Sequence, residues 1–345
     1  MNPITICPST LAEGYDSYSP IAIKHLFDGR QVSPFLDYTP IDDDNNSAAQ
    51  EEFLHNQERI SLSGVQPKYS MIVRNGKLAL TQKGEQGHYI LKPKLSDFRN
   101  RIYSSANENL TMQIASQVFG IETAANGLCF FKGGEPAYIT KRFDVKPDGT
   151  KRRKEDFASL AGLTTQNGGK NYKYEYLTYE ECGELIRRYL PAWKVETLKF
   201  FDLIIFNFLC IRRCCKVRIC NGDAHLKNFS VLETESGDFR LSPAYDLINT
   251  KLHVDDRIFA LDKGLLKDNA AESMPYGMTN STTFREFGKR LGLPDKTIRR
   301  ELDKFCTSYP LLDTLIANSY LSDELKENYR NMYLGRRDSY LKIGL

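Results

Sequence analysis

The 345-residue chain holds no hydrophobic run long enough to cross a bilayer. Its most apolar stretch, residues 200–211, falls short of the roughly 20 residues a membrane helix needs and carries Asp202 and Asn207. A secretory signal is missing too. Met1-Asn2-Pro3-Ile4-Thr5 shows neither a positively charged start nor a long apolar segment behind it. These absences make a cytoplasmic protein without a membrane span the expectation, with non-standard export left open. The eight cysteines (Cys7, Cys129, Cys182, Cys210, Cys214, Cys215, Cys220 and Cys306) contain no Cys-x-x-Cys pair, and no His flanks the cluster at 210–220 at zinc-finger spacing. Reduced thiols are expected rather than a zinc site. Excess charge is also lacking: 47 Lys and Arg against 44 Asp and Glu leave +3 at pH 7. That is too little for binding nucleic acid through overall electrostatics, so no direct nucleic-acid contact is expected and any basic surface is local.

What is present is an ordinary globular composition, 41% apolar and 26% charged, on a chain long enough for two domains with a real core. One stretch organises it: Asn221-Gly222-Asp223-Ala224-His225-Leu226-Lys227-Asn228-Phe229-Ser230. An Asp followed five positions on by an Asn, just before an apolar strand-like run, has the spacing of a phosphotransferase catalytic loop. There the Asp accepts the proton of the attacking hydroxyl and the Asn holds a metal ion on the phosphates. Alone, the same residues also make ordinary turns.

The rest of the chain bears on that choice. Ser19-Pro20 can cap and open a helix, and the acidic, polar stretch after residue 40 reads as a linker. Ser61-Leu62-Ser63-Gly64-Val65-Gln66-Pro67-Lys68 is a small-residue loop whose backbone amides could approach phosphates, with Lys68 closing it; a tight turn between strands is the plainer reading. Strands are expected at 69–73, 77–81 and 88–91, with Asn75-Gly76 as a hairpin turn. In Tyr89-Ile90-Leu91-Lys92-Pro93, Lys92 either points outward from an edge strand or reaches nucleotide phosphates. A helix over 104–119 carries Ala106, Leu110, Ile114 and Val118 on one stripe and stops at Gly120. Its Glu108 either favours the helix N-terminus or pairs with Lys92. Strands at 128–131 and 137–140 lead to Lys141-Arg142-Phe143-Asp144, where a hinge would fall.

Residues 145–175 are basic and rich in Gly and Asn. They read as a solvated loop, or as a contact surface for an acidic partner. Helices follow over 178–190 and 193–211, the second apolar nearly all round and so central to its domain. A hairpin over 229–241 precedes Ser242-Pro243-Ala244-Tyr245-Asp246, and residues 281–340 read as four amphipathic helices. The order of loop, strand Lys, helix Glu, hinge, helices, Asp-x4-Asn, hairpin and Asp is that of a two-lobed kinase, and Asp246 falls where a second metal-binding Asp belongs. Phosphoryl transfer needs such parts because its transition state is mostly charge to neutralise and oxygens to align.

On these motifs the chain resembles the HipA-like serine/threonine kinases, in their short HipT- and CtkA-like form. The matching pieces are 61–68, 89–93, Asn107-Glu108, 140–144, 221–230 and 243–246. The resemblance implies an α+β, two-lobed protein-kinase-like fold (of the HipA and phosphatidylinositol-kinase type). Residues 1–59 would be an N-terminal extension and linker, 60–143 an antiparallel-sheet N-lobe with the phosphate loop, and 144–345 a helical C-lobe. It implies ATP and Mg²⁺ as cofactors, Asp223 as catalytic base, and Asn228 and Asp246 as metal ligands. Ser63, Gly64, Val65, Gln66, Pro67, Lys68 and Lys92 would contact phosphates; Lys141, Arg142 and Phe143 would form the adenine-side hinge. His225, Lys227 and Tyr245 would line the nucleotide, Glu108 would support Lys92, and Ser61 or Ser63 would be autophosphorylated.

As partners the resemblance implies an antitoxin and a protein substrate, an aminoacyl-tRNA synthetase or another cytosolic protein. Two departures stand out. Some 60 residues precede the Ser-rich loop, so the N-terminal subdomain of HipA is expected to be missing or reduced; and a basic, Cys-rich insertion, 210–220, abuts the catalytic loop. A kinase-shaped binding module with impaired chemistry is therefore the alternative to a kinase, and a lipid kinase is the third reading.

Overall fold

The computed structural model describes residues 3–40, 67–94, 99–210, 224–249, 252–253, 259–268 and 279–341. The chain divides into two compact units. The first takes Met1–Ile114, Thr123–Lys151 and Leu311–Lys326; the second takes Ala115–Glu122, Arg152–Pro310 and Glu327–Leu345.

The first unit is built on a five-stranded antiparallel sheet of β1 (Tyr69–Arg74), β2 (Lys77–Leu80), β3 (Tyr89–Lys92), β4 (Asn126–Phe130) and β5 (Pro136–Lys141), in the order β2-β1-β3-β5-β4. Asn75 and Gly76 both take positive φ, 49° and 72°, the backbone that a two-residue hairpin joining β1 to β2 requires. Helix α1 (Pro20–Phe27) is capped as its sequence predicts: the Ser19 side chain accepts from the Ala22 amide and Pro20 opens the first turn. Its Ala22, Leu26 and Phe27 enter one core with Tyr69, Met71, Tyr89, Leu91 and Ile139 of the sheet. Each such large side chain contributes about 1.5–3 kcal/mol by leaving water. Residues expected to form an extension are thus part of the sheet's own core.

The C-terminal segment of this unit returns to the same place. The Tyr320 hydroxyl donates to the Ile6 carbonyl, the Asn318 amide donates to the Leu11 carbonyl at 3.1 Å, and the Tyr320 ring lies 5.5 Å from that of Phe130. Ile6, Phe130, Asn318 and Tyr320 line a cavity of ≈ 440 Å³ with Ile4, Phe35 and Lys326.

Helix α2 (Ser104–Gln113) is buried at every position, although most of its residues are polar. Its side chains find partners inside: Asn109 donates to the Ser9 carbonyl at 3.3 Å, Gln113 to Asn126 at 3.0 Å, and Thr111 to Asn107 at 3.2 Å. The helix expected to run to 119 ends its α geometry at Gln113 and continues as a π-turn, Ile114–Val118, before Gly120 at φ 66°.

In the second unit, β6 (Lys154–Asp156), β7 (Ser230–Glu233) and β8 (Phe239–Leu241) form a small antiparallel sheet. Short helices α3 (Phe157–Leu160), α4 (Thr165–Gly168) and α5 (Tyr172–Glu175) follow β6. The basic segment expected as a solvated loop thus carries a strand and short helices, while most of its residues stay exposed or half-buried. Two of its cations pair within the chain: Arg153 bonds Glu233 at 2.8 Å and Arg152 pairs with Glu235, because pairing with β7 brings the acidic hairpin alongside.

Helix α6 (Tyr179–Tyr189) starts at a capping box between Thr178 and Glu181. Helix α7 (Trp193–Cys210) is buried nearly all round through Phe200, Phe201, Leu203, Ile204, Ile205, Phe206, Phe208 and Leu209. Then come α8 (Ser281–Arg290), α9 (Asp295–Cys306), α10 (Pro310–Ala317) and α11 (Asp323–Arg336), the four helices expected. Among the described residues no helix is long and apolar enough to cross a membrane. Cys7, Cys129, Cys182 and Cys306 are free thiols.

Candidate active site

In the first unit the two open questions about Lys92 and Glu108 have one answer. Lys92 ends β3, which lies between β1 and β5, so it is not on an edge strand. Its Nζ lies 2.6 Å from Glu108 Oε1, and the two side chains are 4% and 5% exposed. The same ammonium sits 5.2 Å from the centre of the Tyr138 ring, which the β3–β5 register places opposite. Taking two charges out of water costs several kcal/mol per ion, recovered only by close pairing. An ion pair this buried is an arrangement the fold must work to hold.

In the same unit, Pro67 and Lys68 are half-buried just ahead of β1. Lys141 pairs with Asp28, and Arg142 makes a two-pronged contact with Asp144, at 3.0 and 2.6 Å. Phe143 between them is half-buried. Ser61, Ser63, Gly64, Val65 and Gln66 lie outside the described residues.

In the second unit Asp223 and the insertion from 211 also lie outside the described residues, but the chain directly after Asp223 is well held. The Ala224 carbonyl accepts from the Tyr179 hydroxyl at 2.9 Å. His225 caps a 3₁₀ turn, Leu226–Asn228, closed by the Asn228 amide donating to the His225 carbonyl at 2.9 Å. Beneath the turn Phe229 packs against Phe157, Tyr179 and Phe200, with ring centres 5.7, 6.2 and 5.2 Å away.

The β7–β8 hairpin then sets Asp246. Val231 pairs with Leu241, the Ser242 amide donates to the Ser230 carbonyl at 2.8 Å, and the Tyr245 hydroxyl donates to the Lys227 carbonyl at 2.8 Å. Asn228 and Asp246 are each one residue from that last contact, so the hairpin brings both to one end. Asp246 sits at φ 57°, left-handed backbone that costs a non-glycine residue on the order of 1–3 kcal/mol and gathers at functional sites. An amide carbonyl and a carboxylate are hard oxygen donors, and Mg²⁺ is commonly held by so few protein ligands together with phosphate oxygens, so this pair fits the ion.

The sequence reading missed what stands behind this turn. Lys227 Nζ lies 3.3 Å from Asp156 Oδ2 at the end of β6. Partial burial pulls the Lys227 ammonium down, and Asp156 and Tyr172 outweigh it, holding its pKa above the ordinary lysine value. Tyr174 meets His225 edge to face at 5.2 Å, and the Lys154 ammonium lies 5.3 Å from the Tyr245 ring centre. All four come from the segment read as a loop. One signal for it was available: Asp156 ahead of Phe157-Ala158 is a helix N-cap pattern.

Comparison with known proteins agrees with this architecture. The HipA-like C-terminal domain family model matches residues 60–310, well over half of the chain. A Haemophilus influenzae protein named "Putative kinase" is 24% identical over 316 residues, spanning 87% of this chain and 85% of that protein. "Putative kinase Y4mE" of Sinorhizobium fredii is 31% identical over 207 residues, 57% of this chain and 44% of its own length. Among solved structures, HipA from the toxin–antitoxin system of Shewanella oneidensis MR-1, in a complex with HipB and its operator DNA, has the same fold, with a TM-score of 0.60 and 22% identity over 81% of this chain and 65% of that one. The chain therefore belongs to the HipA-like kinase family, whose C-terminal domain it carries.

Proposed function

We propose that this chain is an ATP- and Mg²⁺-dependent serine/threonine protein kinase, acting in the cytoplasm as the toxin of a toxin–antitoxin pair. The observation that carries the reading is the buried Lys92–Glu108 ion pair at 2.6 Å, which orients one lysine at the end of a central strand as a nucleotide kinase requires. In this reading Lys92 binds phosphate oxygens, with Pro67, Lys68 and the preceding 63–66 loop beside them. Lys141, Arg142 and Phe143 flank the base, and His225, Lys227 and Tyr245 line the nucleotide. Asp223 takes the proton of the attacking hydroxyl. Asn228 and Asp246 hold Mg²⁺, which supplies charge neutralisation across the phosphates. The antitoxin is part of the proposal because the solved relative is recorded with HipB. Ser61 or Ser63 is the site of autophosphorylation, where close to two added negative charges would repel the nucleotide's phosphates.

The test is incubation of the purified chain with radiolabelled ATP and Mg²⁺, followed by mass spectrometry. Label on the protein, at Ser61 or Ser63, is the expected result; no incorporation with or without a co-expressed partner overturns the kinase reading.

Substitutions at Asp246 probe the metal. Asn tolerates left-handed backbone, so Asp246→Asn removes the charge and keeps the turn, whereas Asp246→Ala adds strain. Both should weaken ATP binding by about tenfold or more in the presence of Mg²⁺ and leave metal-free binding nearly unchanged for the Asn variant. Calorimetric titration with and without Mg²⁺ reads this out; no metal-linked loss in Asp246→Asn counts against its role.

A further inference from the structure

The carboxylate of Asp156 does two jobs with its two oxygens. Oδ1 accepts the Ser159 amide at 2.9 Å and so caps α3, while Oδ2 faces the Lys227 ammonium at 3.3 Å. The side chains of Lys227 and Asp156 are 25% and 18% exposed, so the pair is largely shielded from water. The Lys227 backbone is fixed as well, since its carbonyl accepts from the Tyr245 hydroxyl, and Tyr245 also bonds Ser230. Tyr172, on the short α5, shares the ammonium with Asp156. A lysine on an exposed loop samples many rotamers. Here the backbone is held by the hairpin and the ammonium by β6 and α5, so its position is set from both ends.

We infer that Asp156 is a positioning residue for Lys227. Through this pair, the segment from β6 to α5 fixes where the cation next to Asn228 presents its remaining N–H donors. The inference rests on the reading of Lys227 as a nucleotide-contacting group and adds to it a residue outside every motif on which that reading was built. The physical content is orientation. A lysine ammonium has three donors, and two acceptors from the protein leave one direction for a phosphate oxygen. Removing the carboxylate leaves the charge in place and its direction unset, which lowers turnover more than binding.

Capping and pairing can be separated. Asn caps a helix as well as Asp, so Asp156→Asn keeps the Ser159 bond while placing an uncharged amide against Lys227. The experiment compares wild type, Asp156→Asn, Asp156→Glu, Lys227→Met and the Asp156→Asn/Lys227→Met pair. Its readouts are ADP release from Mg²⁺-ATP, calorimetric Mg²⁺-ATP affinity, thermal midpoint, and the rate at which acetic anhydride acetylates Lys227, read by mass spectrometry.

Asp156→Asn is expected to lose on the order of 10²-fold in kcat, with affinity within about threefold and an unchanged thermal midpoint. Asp156→Glu should recover part of the loss, and the double variant should be no slower than Lys227→Met alone. Acetylation of Lys227 should quicken in Asp156→Asn, because the carboxylate that holds the amine against β6 has gone and the side chain is freer to meet the reagent. Wild-type kcat in Asp156→Asn, additive losses in the double variant, or an unchanged acetylation rate would each overturn the inference. A wild type that releases no ADP overturns the kinase reading instead, and the acetylation rates still decide the pairing.

Discussion

Glu108→Ala should destabilise the fold by roughly 3–5 kcal/mol, the usual cost of removing one partner of a buried ion pair. The magnitude follows from what is left behind. Lys92 would keep a charge in a site 4% exposed, with the face of the Tyr138 ring as a poor substitute for a carboxylate. The strand that carries the lysine is paired on both sides, to β1 and to β5, so its backbone cannot shift to bring the charge to water. Replacing both members together, Lys92→Met with Glu108→Leu, should restore most of the loss, since well-packed apolar side chains commonly match a buried pair in stability. Urea midpoints of the two single variants and the double variant measure this. A Glu108→Ala midpoint within experimental error of wild type would show that the pair is not closed in solution. The double variant separates stability from chemistry: under the proposed function it folds and transfers no phosphate.

Asp223→Asn should cut phosphate transfer by about 10²-fold or more and leave ATP affinity within a few-fold. Asn keeps the shape of Asp and cannot accept the hydroxyl proton. The substitution should not disturb the path of the chain behind it, for Ala224 is buried and its carbonyl is bonded to Tyr179, and the turn through Asn228 rests on three aromatic rings. Label transfer from ATP gives the rate and calorimetry the affinity. Wild-type turnover in this variant would remove Asp223 from the mechanism.

Much of this was legible from the residues because the signals are local. Ser19-Pro20 and Asn75-Gly76 each specify backbone geometry within a few residues, and the structure has both as read. Long apolar periods likewise gave α7 and the strands of the larger sheet. The orientation of Lys92 was not legible. Whether a strand is central or at an edge depends on β5, nearly fifty residues further on, and periodicity carries no information about that. The strand and short helices within 145–175 were not legible for a related reason. A strand of three residues is too short to show a period of two, and the partners that neutralise Arg152 and Arg153 lie about eighty residues away. Arg153 is exposed and paired at once, so charge alone does not tell a loop from a strand edge.

The return of Tyr320 and Asn318 to Ile6 and Leu11 has a bearing on how the chain is made. Those bonds join positions more than 300 residues apart in a chain of 345. A ribosome delivers the sheet long before it delivers Leu311–Lys326, the segment that completes the same compact unit. The unit carrying Lys92 and Glu108 is therefore unfinished until residues 311–326 have been made. If the proposed activity is harmful to the cell, no nascent fragment short of residue 326 can exercise it with a complete first unit, and a premature stop before residue 311 leaves that unit open and exposed to proteases.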